Sequence, residues 1–127
     1  MIIKDVKDIT DIRAGDGSAL RELLHPGKGP FPFGYSLARA VVKPGTKTAA
    51  HRLKSSEVYY ILEGRGLMRI GGESAEVGAG QAVYIPPFHV QSIENTGEAD
   101  LVFLCIVDPA WRREDEQVLP DGTVRTG

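Results

Sequence analysis

The segment Gly45-Thr-Lys-Thr-Ala-Ala-His51-Arg-Leu53-Lys-Ser-Ser-Glu57-Val-Tyr59-Tyr-Ile-Leu-Glu-Gly64 carries more information than any other in this chain. A histidine and a glutamate stand six positions apart in strand-like sequence. Apolar and aromatic residues follow, and a glycine turn closes the segment. Imidazole nitrogen and carboxylate oxygen are both common ligands of divalent transition metals. On a bent hairpin His51 and Glu57 can point into one cavity. Two such groups alone are a weak signal, so the flanking sequence has to supply the rest.

Outward from this segment the chain reads as short strands. Tyr35 to Lys43 alternates and stops at Pro44-Gly45. Thr48 to Leu53 and Glu57 to Leu62 are the next two. Leu67 to Ile70, Ser74 to Val77, Gln81 to Ile85, Val90 to Glu94 and Asp100 to Val107 follow, with Gly-containing or Pro86-Pro87 breaks between most of them. Strands at this spacing with glycine turns predict an all-β sandwich or barrel, and no alternation of helix and strand points to a parallel sheet. Toward the N-terminus, residues 1–13 predict one short strand. Ser18 to His25 fits a helical face through Leu20, Leu23 and Leu24 as well as it fits a strand. His25 to Gly34 is a loop of prolines and glycines, and His25 reads as a surface residue. Beyond Val107, the tail from Asp108 predicts one or two helical turns, with Asp108 as cap and Pro109 at the first position. Trp111 is expected against the barrel wall or a subunit contact, and residues 120–127 as a frayed end. Gly66, Gly78 and Gly97 read as turn glycines with positive φ.

The length of 127 residues predicts one domain with a real core. A net charge of -2 gives no long-range attraction to nucleic acid or to an anionic membrane. No apolar run approaches the roughly 20 residues of a membrane span, and no signal peptide is visible, so a cytoplasmic protein is expected. The lone Cys105 excludes an intrachain disulfide and lies in an apolar run, as a buried small hydrophobe would.

A second segment, Gly80-Gln-Ala-Val-Tyr-Ile-Pro86-Pro-Phe88-His89-Val-Gln91-Ser-Ile-Glu-Asn95, completes a pattern with the first. Together they resemble the cupin superfamily over about residues 35 to 107. The first cupin motif is G-x5-H-x-H-x3-E-x6-G, and Gly45, His51, Glu57 and Gly64 fall at its spacings. The second is G-x5-P-x-G-x2-H-x3-N, matched by Gly80, Pro86 and Asn95. The resemblance implies a double-stranded β-helix, or jelly-roll barrel, of two antiparallel sheets, with a site inside and a homodimer as the usual assembly. A partner covering an edge strand from residues 1–13 is one physical route to that dimer.

The departures bear on function. Metal-binding cupins use the two histidines and the glutamate of the first motif and the histidine of the second. Here Leu53 stands at the second position and Gln91 at the fourth, while Phe88 replaces the second-motif glycine. His51 and Glu57 therefore carry over as metal ligands, Gln91 keeps an oxygen donor, and His89 shares a strand face with Gln91 if the alternation holds. Three outcomes stay open. His51, Glu57 and Gln91, with or without His89, hold iron, manganese, zinc or nickel with open positions for substrate. Or the site is metal-free, with His51 and Glu57 as an acid–base pair. Or the pair is a structural remnant. Tyr59, Phe103, Arg39 and Leu53 are further pocket candidates, although Tyr59 and Phe103 suit core packing as well. Arg39, Arg52 and Arg69 would suit an anionic ligand if they face inward, and solvent otherwise. The leading expectation is a metal-dependent enzyme, of oxygenase or isomerase type, acting on a small polar or anionic molecule. The alternatives are a metal-free small-molecule or sugar binding protein without turnover, and a mainly structural dimer.

Overall fold

The structure, a computed structural model, describes residues 1–120. Among them, eleven strands form two antiparallel sheets. In chain order the strands are β1 (Ile12–Arg13), β2 (Ala19–Leu24), β3 (Ser36–Val42), β4 (His51–Leu53), β5 (Ser56–Glu63) and β6 (Arg65–Ile70). Then come β7 (Glu73–Gly78), β8 (Ala82–Ile85), β9 (Gln91–Asn95), β10 (Leu101–Asp108) and β11 (Glu116–Val118). One sheet has the order β1-β2-β3-β10-β5-β8 and the other β11-β4-β9-β6-β7. This is the jelly-roll arrangement expected from the sequence.

Period-two burial decides which side chains meet between the sheets. On β3, Ser36, Ala38, Ala40 and Val42 are buried while Leu37, Arg39 and Val41 are only partly so. On β5 the inward set is Glu57, Tyr59 and Ile61, and on β10 it is Leu101, Phe103, Cys105 and Val107. These strands run in register, with Glu57 beside Val107, Tyr59 beside Cys105 and Ile61 beside Phe103. The interior is therefore graded. Val42, Ile61, Met68, Ile93, Leu101 and Phe103 make an apolar core. Along β5 and β10 the lining then turns polar, ending at Glu57 and at Ser36 on β3. The site lies at that end.

Two motif residues explain themselves structurally. Gly64 has φ 85°, and a Cβ there would come within 2.6 Å of the Asp100 carbonyl oxygen. The Asn95 amide donates to the carbonyls of Val42 (2.9 Å) and Ala99 (2.8 Å), and its oxygen accepts from Gly97 N at 2.9 Å, pinning the β9–β10 turn.

Several expectations change. The choice left open over Ser18 to His25 resolves to a strand, β2 (Ala19–Leu24), which finds a partner in β3 and buries its residues only partially on both faces. The tail holds one 3-10 turn at Arg113–Asp115 and then extends as β11. Without β11, β4 would expose its outer row of backbone groups. The pairing puts Glu116 opposite Leu53 and Val118 opposite His51, and Leu119 N donates to Ala50 O at 2.8 Å. Asp108 ends β10 and caps no helix. His25 is half-buried, with Nε2 2.7 Å from Trp111 O. Gly66, Gly78 and Gly97 do not adopt positive φ. Gly66 is needed for close approach, since a Cβ there would lie 2.5 Å from the Glu94 carbonyl oxygen. Of the expected frayed end, residues 121–127 lie outside the described residues. Among those described, no helix is long and apolar enough to cross a membrane.

Candidate functional site

His51 and Leu53 alternate inward on β4, and both are buried. Glu57 and Tyr59 alternate inward on β5. Gln91 opens β9 directly opposite His51. The three residues singled out from the motifs thus converge, and they are tied to one another. Gln91 Nε2 donates to Glu57 Oε1 at 2.9 Å, and the Tyr59 hydroxyl donates to Gln91 Oε1 at 3.0 Å. Tyr59 also packs on Phe103, with ring centroids 4.4 Å apart.

The His51 ring is oriented by the backbone. Its Nδ1 lies 2.9 Å from the Ala49 carbonyl oxygen. A carbonyl only accepts, so Nδ1 carries the proton. In the neutral ring Nε2 then holds the lone pair. That atom faces a carboxylate, with Asp16 Oδ2 at 3.7 Å, too far for a hydrogen bond.

Burial pushes the Glu57 carboxyl up to about 7 from the usual 4.5, although the nearby His51 and the Gln91 amide pull the other way. The phenol of Tyr59 and the thiol of Cys105 are also pushed up, first by burial and then by Glu57. Glu116 rises too, mainly through partial burial, with Asp16 adding to it and with His51 and a hydrogen bond from the Trp111 side chain opposing. Asp16 and Glu116 were invisible as site residues in the sequence. Asp16 is carried in by the turn Ala14–Gly17, where its Oδ1 accepts from Ser18 N (3.0 Å) and Ser18 Oγ (2.7 Å). Glu116 arrives on β11. The Asp-x-Ser spacing was the one local signal for Asp16, since it favours an Asx turn.

These side chains line a small cavity of about 50 Å3. Its walls include Asp16, Ser36, His51, Leu53, Glu57 and Glu116, with Tyr59, Phe103, Cys105 and Trp111. Ala14, Leu20, Glu22, Trp111 and Glu116 also line a wider depression of about 630 Å3, which makes a vestibule. Trp111 is held there by its backbone N–H, which donates to Ser36 Oγ at 2.9 Å, and by His25 on its carbonyl.

Two expected site residues stay outside. Arg39 falls on the outward alternation of β3 and lines no part of this cavity. His89 is exposed and bonds through Nδ1 to its neighbour Pro87 O at 3.0 Å. The alternation assumed for His89 and Gln91 breaks because β9 begins only at Gln91, after a turn in which Phe88 has φ 65° and His89 N contacts Pro86 O. Phe88 occupies the motif's glycine position in a left-handed conformation that costs a side chain about 1 kcal/mol. Phe88→Gly is therefore expected to stabilise the chain by up to about 1 kcal/mol, less the greater entropy loss of glycine, as read by thermal denaturation.

Two facing antiparallel sheets with buried acid and imidazole groups around a cavity at one end define a barrel protein with a candidate site in its interior. The chain belongs to the cupin family: the Cupin domain model matches residues 38–107. It is 48% identical over 107 residues to the uncharacterised protein MJ1618 of Methanocaldococcus jannaschii, a match spanning 82% of this chain and 83% of that one. It is 30% identical over 100 residues to an oxalate-binding protein of Thermotoga maritima, covering 78% of this chain and 83% of the relative. Among solved structures, a predicted oxalate decarboxylase from Thermotoga maritima superposes with a TM-score of 0.74 at 27% identity, over 85% of this chain and 99% of that one.

Cupins commonly hold a divalent metal, and the residues here fit one poorly. The oxygen of Gln91, the atom a metal would need, already accepts from Tyr59. Its NH2 group is the part aimed at Glu57, and an amide donor beside that carboxylate repels a cation. Leu53 puts an isobutyl group where a second imidazole would stand. Among the described residues, no three His, Cys, Asp or Glu side chains are arranged to hold a metal ion. Of the expected set, His51, Glu57 and Gln91 converge and His89 does not, and a hydrogen-bonded chain runs from Tyr59 through Gln91 to Glu57 with His51 alongside.

Proposed function

We propose that this cupin binds a small polar molecule in the cavity and moves a proton on it without a resident metal. His51 Nε2 serves as base and Glu57 as acid. The observation that carries this reading is the His51 tautomer: its N–H is committed to Ala49 O, which leaves Nε2 free toward the cavity. Glu57 supports it, because a carboxyl pushed up to about 7 still holds a proton to donate near neutral pH. In the forward step Nε2 takes a proton from a substrate C–H or O–H while Glu57 protonates a substrate oxygen. The imidazolium then gives its proton to the neighbouring carbon while the Glu57 carboxylate takes one from the hydroxyl on the first carbon, so both groups are restored and the substrate alone is changed. Moving a proton between two positions of one molecule is an isomerisation, the reaction type such a pair serves.

A set of small hydroxy-carbonyl compounds incubated with the protein in D2O tests this by NMR. Deuterium is expected to enter at carbon, to persist with a chelator present, and to fall by about 10²-fold or more in His51→Gln. A compound that binds in the cavity without exchanging would favour the second reading, binding without turnover. That reading draws support from the oxalate-binding relative and from the apolar Leu53.

A further inference from the structure

Hydrogen-bond accounting around the cavity says what its ligand must offer. His51 Nε2 is an acceptor in the neutral ring, and its side chain is only 3% exposed. Asp16 presents Oδ2, since Oδ1 is used by Ser18. Above about pH 7, once its proton has left, Glu57 presents the oxygen that Gln91 does not use. Glu116 presents a carboxyl as well. Ser36 is a donor to set against these, because its oxygen accepts from Trp111 N and its own proton stays free. The Tyr59 proton is spent on Gln91. Charge points the same way. Among the described residues His51 is the one basic side chain on the cavity wall, where Asp16, Glu22, Glu57 and Glu116 supply acids. At the vestibule Lys28 is taken by Glu22 at 2.6 Å and Arg112 by Asp115 at 3.0 Å, while Arg13 and Arg113 also line it, so the acid-rich wall belongs to the inner cavity.

We propose that the cavity selects a small neutral molecule rich in hydrogen-bond donors, such as an amide or a polyol, and rejects carboxylates, unlike the relative named for oxalate. This rests on the reading of the cavity as a ligand site. A carboxylate brings only acceptors to a wall of acceptors, so both partners lose hydrogen bonds to water without replacing them. A donor-bearing head group satisfies Nε2 and two carboxyl oxygens at once. The size matches: at roughly 10–15 Å3 per water the cavity takes a few heavy atoms. A longer ligand would leave its remainder in the vestibule.

Isosteric pairs isolate the effect from size. Acetate against acetamide, and oxalate against oxamide, are titrated at pH 8 while the His51 ring nitrogens are followed by NMR. The amides are expected to bind at least about tenfold more tightly than the matching carboxylates, by the worth of one or two lost hydrogen bonds. Asp16→Asn, which keeps an oxygen for Ser18, and Glu116→Gln separately should narrow the ratio by adding donors to the wall. Carboxylates binding as tightly as amides would overturn the inference and leave the ligand site standing. If neither member of either pair moves the His51 signals, the site reading and the inference fall together.

Discussion

Leu53→His combined with Gln91→His is expected to turn this chain into a stoichiometric binder of a divalent transition metal. His51 and position 53 share the inward face of β4, and position 91 is the Cα partner of His51 across the β4–β9 pair. Glu57 already reaches position 91 through a 2.9 Å hydrogen bond. The double variant would gather three imidazoles and one carboxylate around one point, the first-row metal set that the cupin motifs specify. Two added ligands should tighten binding by at least about 10³-fold over the parent, since even outer-sphere changes at metal sites move affinity by 10–100-fold. Without metal, the new imidazoles lack partners in a buried place, and the variant should lose about 1–3 kcal/mol of stability. Metal should restore that stability in proportion to its concentration over Kd. Cobalt(II) absorption and metal analysis after dialysis read the first effect, and melting with and without metal reads the second. Parent protein retaining one equivalent of metal as tightly as the variant would refute the account of Leu53 and Gln91 given above.

The same two positions show what the sequence made legible. His51, Glu57 and Gln91 could be brought together on paper because motif spacing encodes strand register, and register is local. What Gln91 does there was not legible. An amide can turn its oxygen or its NH2 group toward a neighbour, and the choice was made by Tyr59, whose hydroxyl takes the oxygen. Arg39 illustrates a different limit. Both faces of β3 are largely apolar, Leu37 and Val41 on one side and Ala38, Ala40 and Val42 on the other, so alternation alone does not reveal which side faces inward. The interior takes the small alanines because β3 packs close to the apolar core. Asp16 and Glu116 mark the hardest case. They come from segments that read as a turn and a solvated tail, and they reach the cavity only because both chain ends fold back on β4. Ala49 N donates to Asp16 O at 2.7 Å, and Lys54 N to Asp115 O at 3.0 Å. Such contacts have no local signature. They close the barrel end and supply half of its acids.

The burial of Glu57 makes a second large effect, this time on stability against pH. Its carboxyl sits at about 7 in the folded chain and at 4.5 when unperturbed, because burial outweighs the help from His51 and Gln91. Between those two values the folded chain holds a proton that the unfolded chain has released. Stability therefore falls as pH rises through this window, by on the order of 3 kcal/mol at about 1.4 kcal/mol per pH unit. Glu57→Gln removes the dependence, because the amide stays neutral while its oxygen can still accept from Gln91 Nε2. Near pH 4.5 the two proteins should be about equally stable. At pH 8 the variant should be more stable by on the order of 3 kcal/mol, with the smaller slope from Glu116 common to both. Urea denaturation at the two pH values measures this, and a parent–variant gap that stays constant with pH would show that Glu57 is not held protonated by its surroundings. The same substitution removes the acid of the proposed proton transfer. A change that strengthens the fold at neutral pH while abolishing exchange into substrate would mean that this carboxyl opposes folding, and that its place in the cavity is explained by chemistry and not by stability.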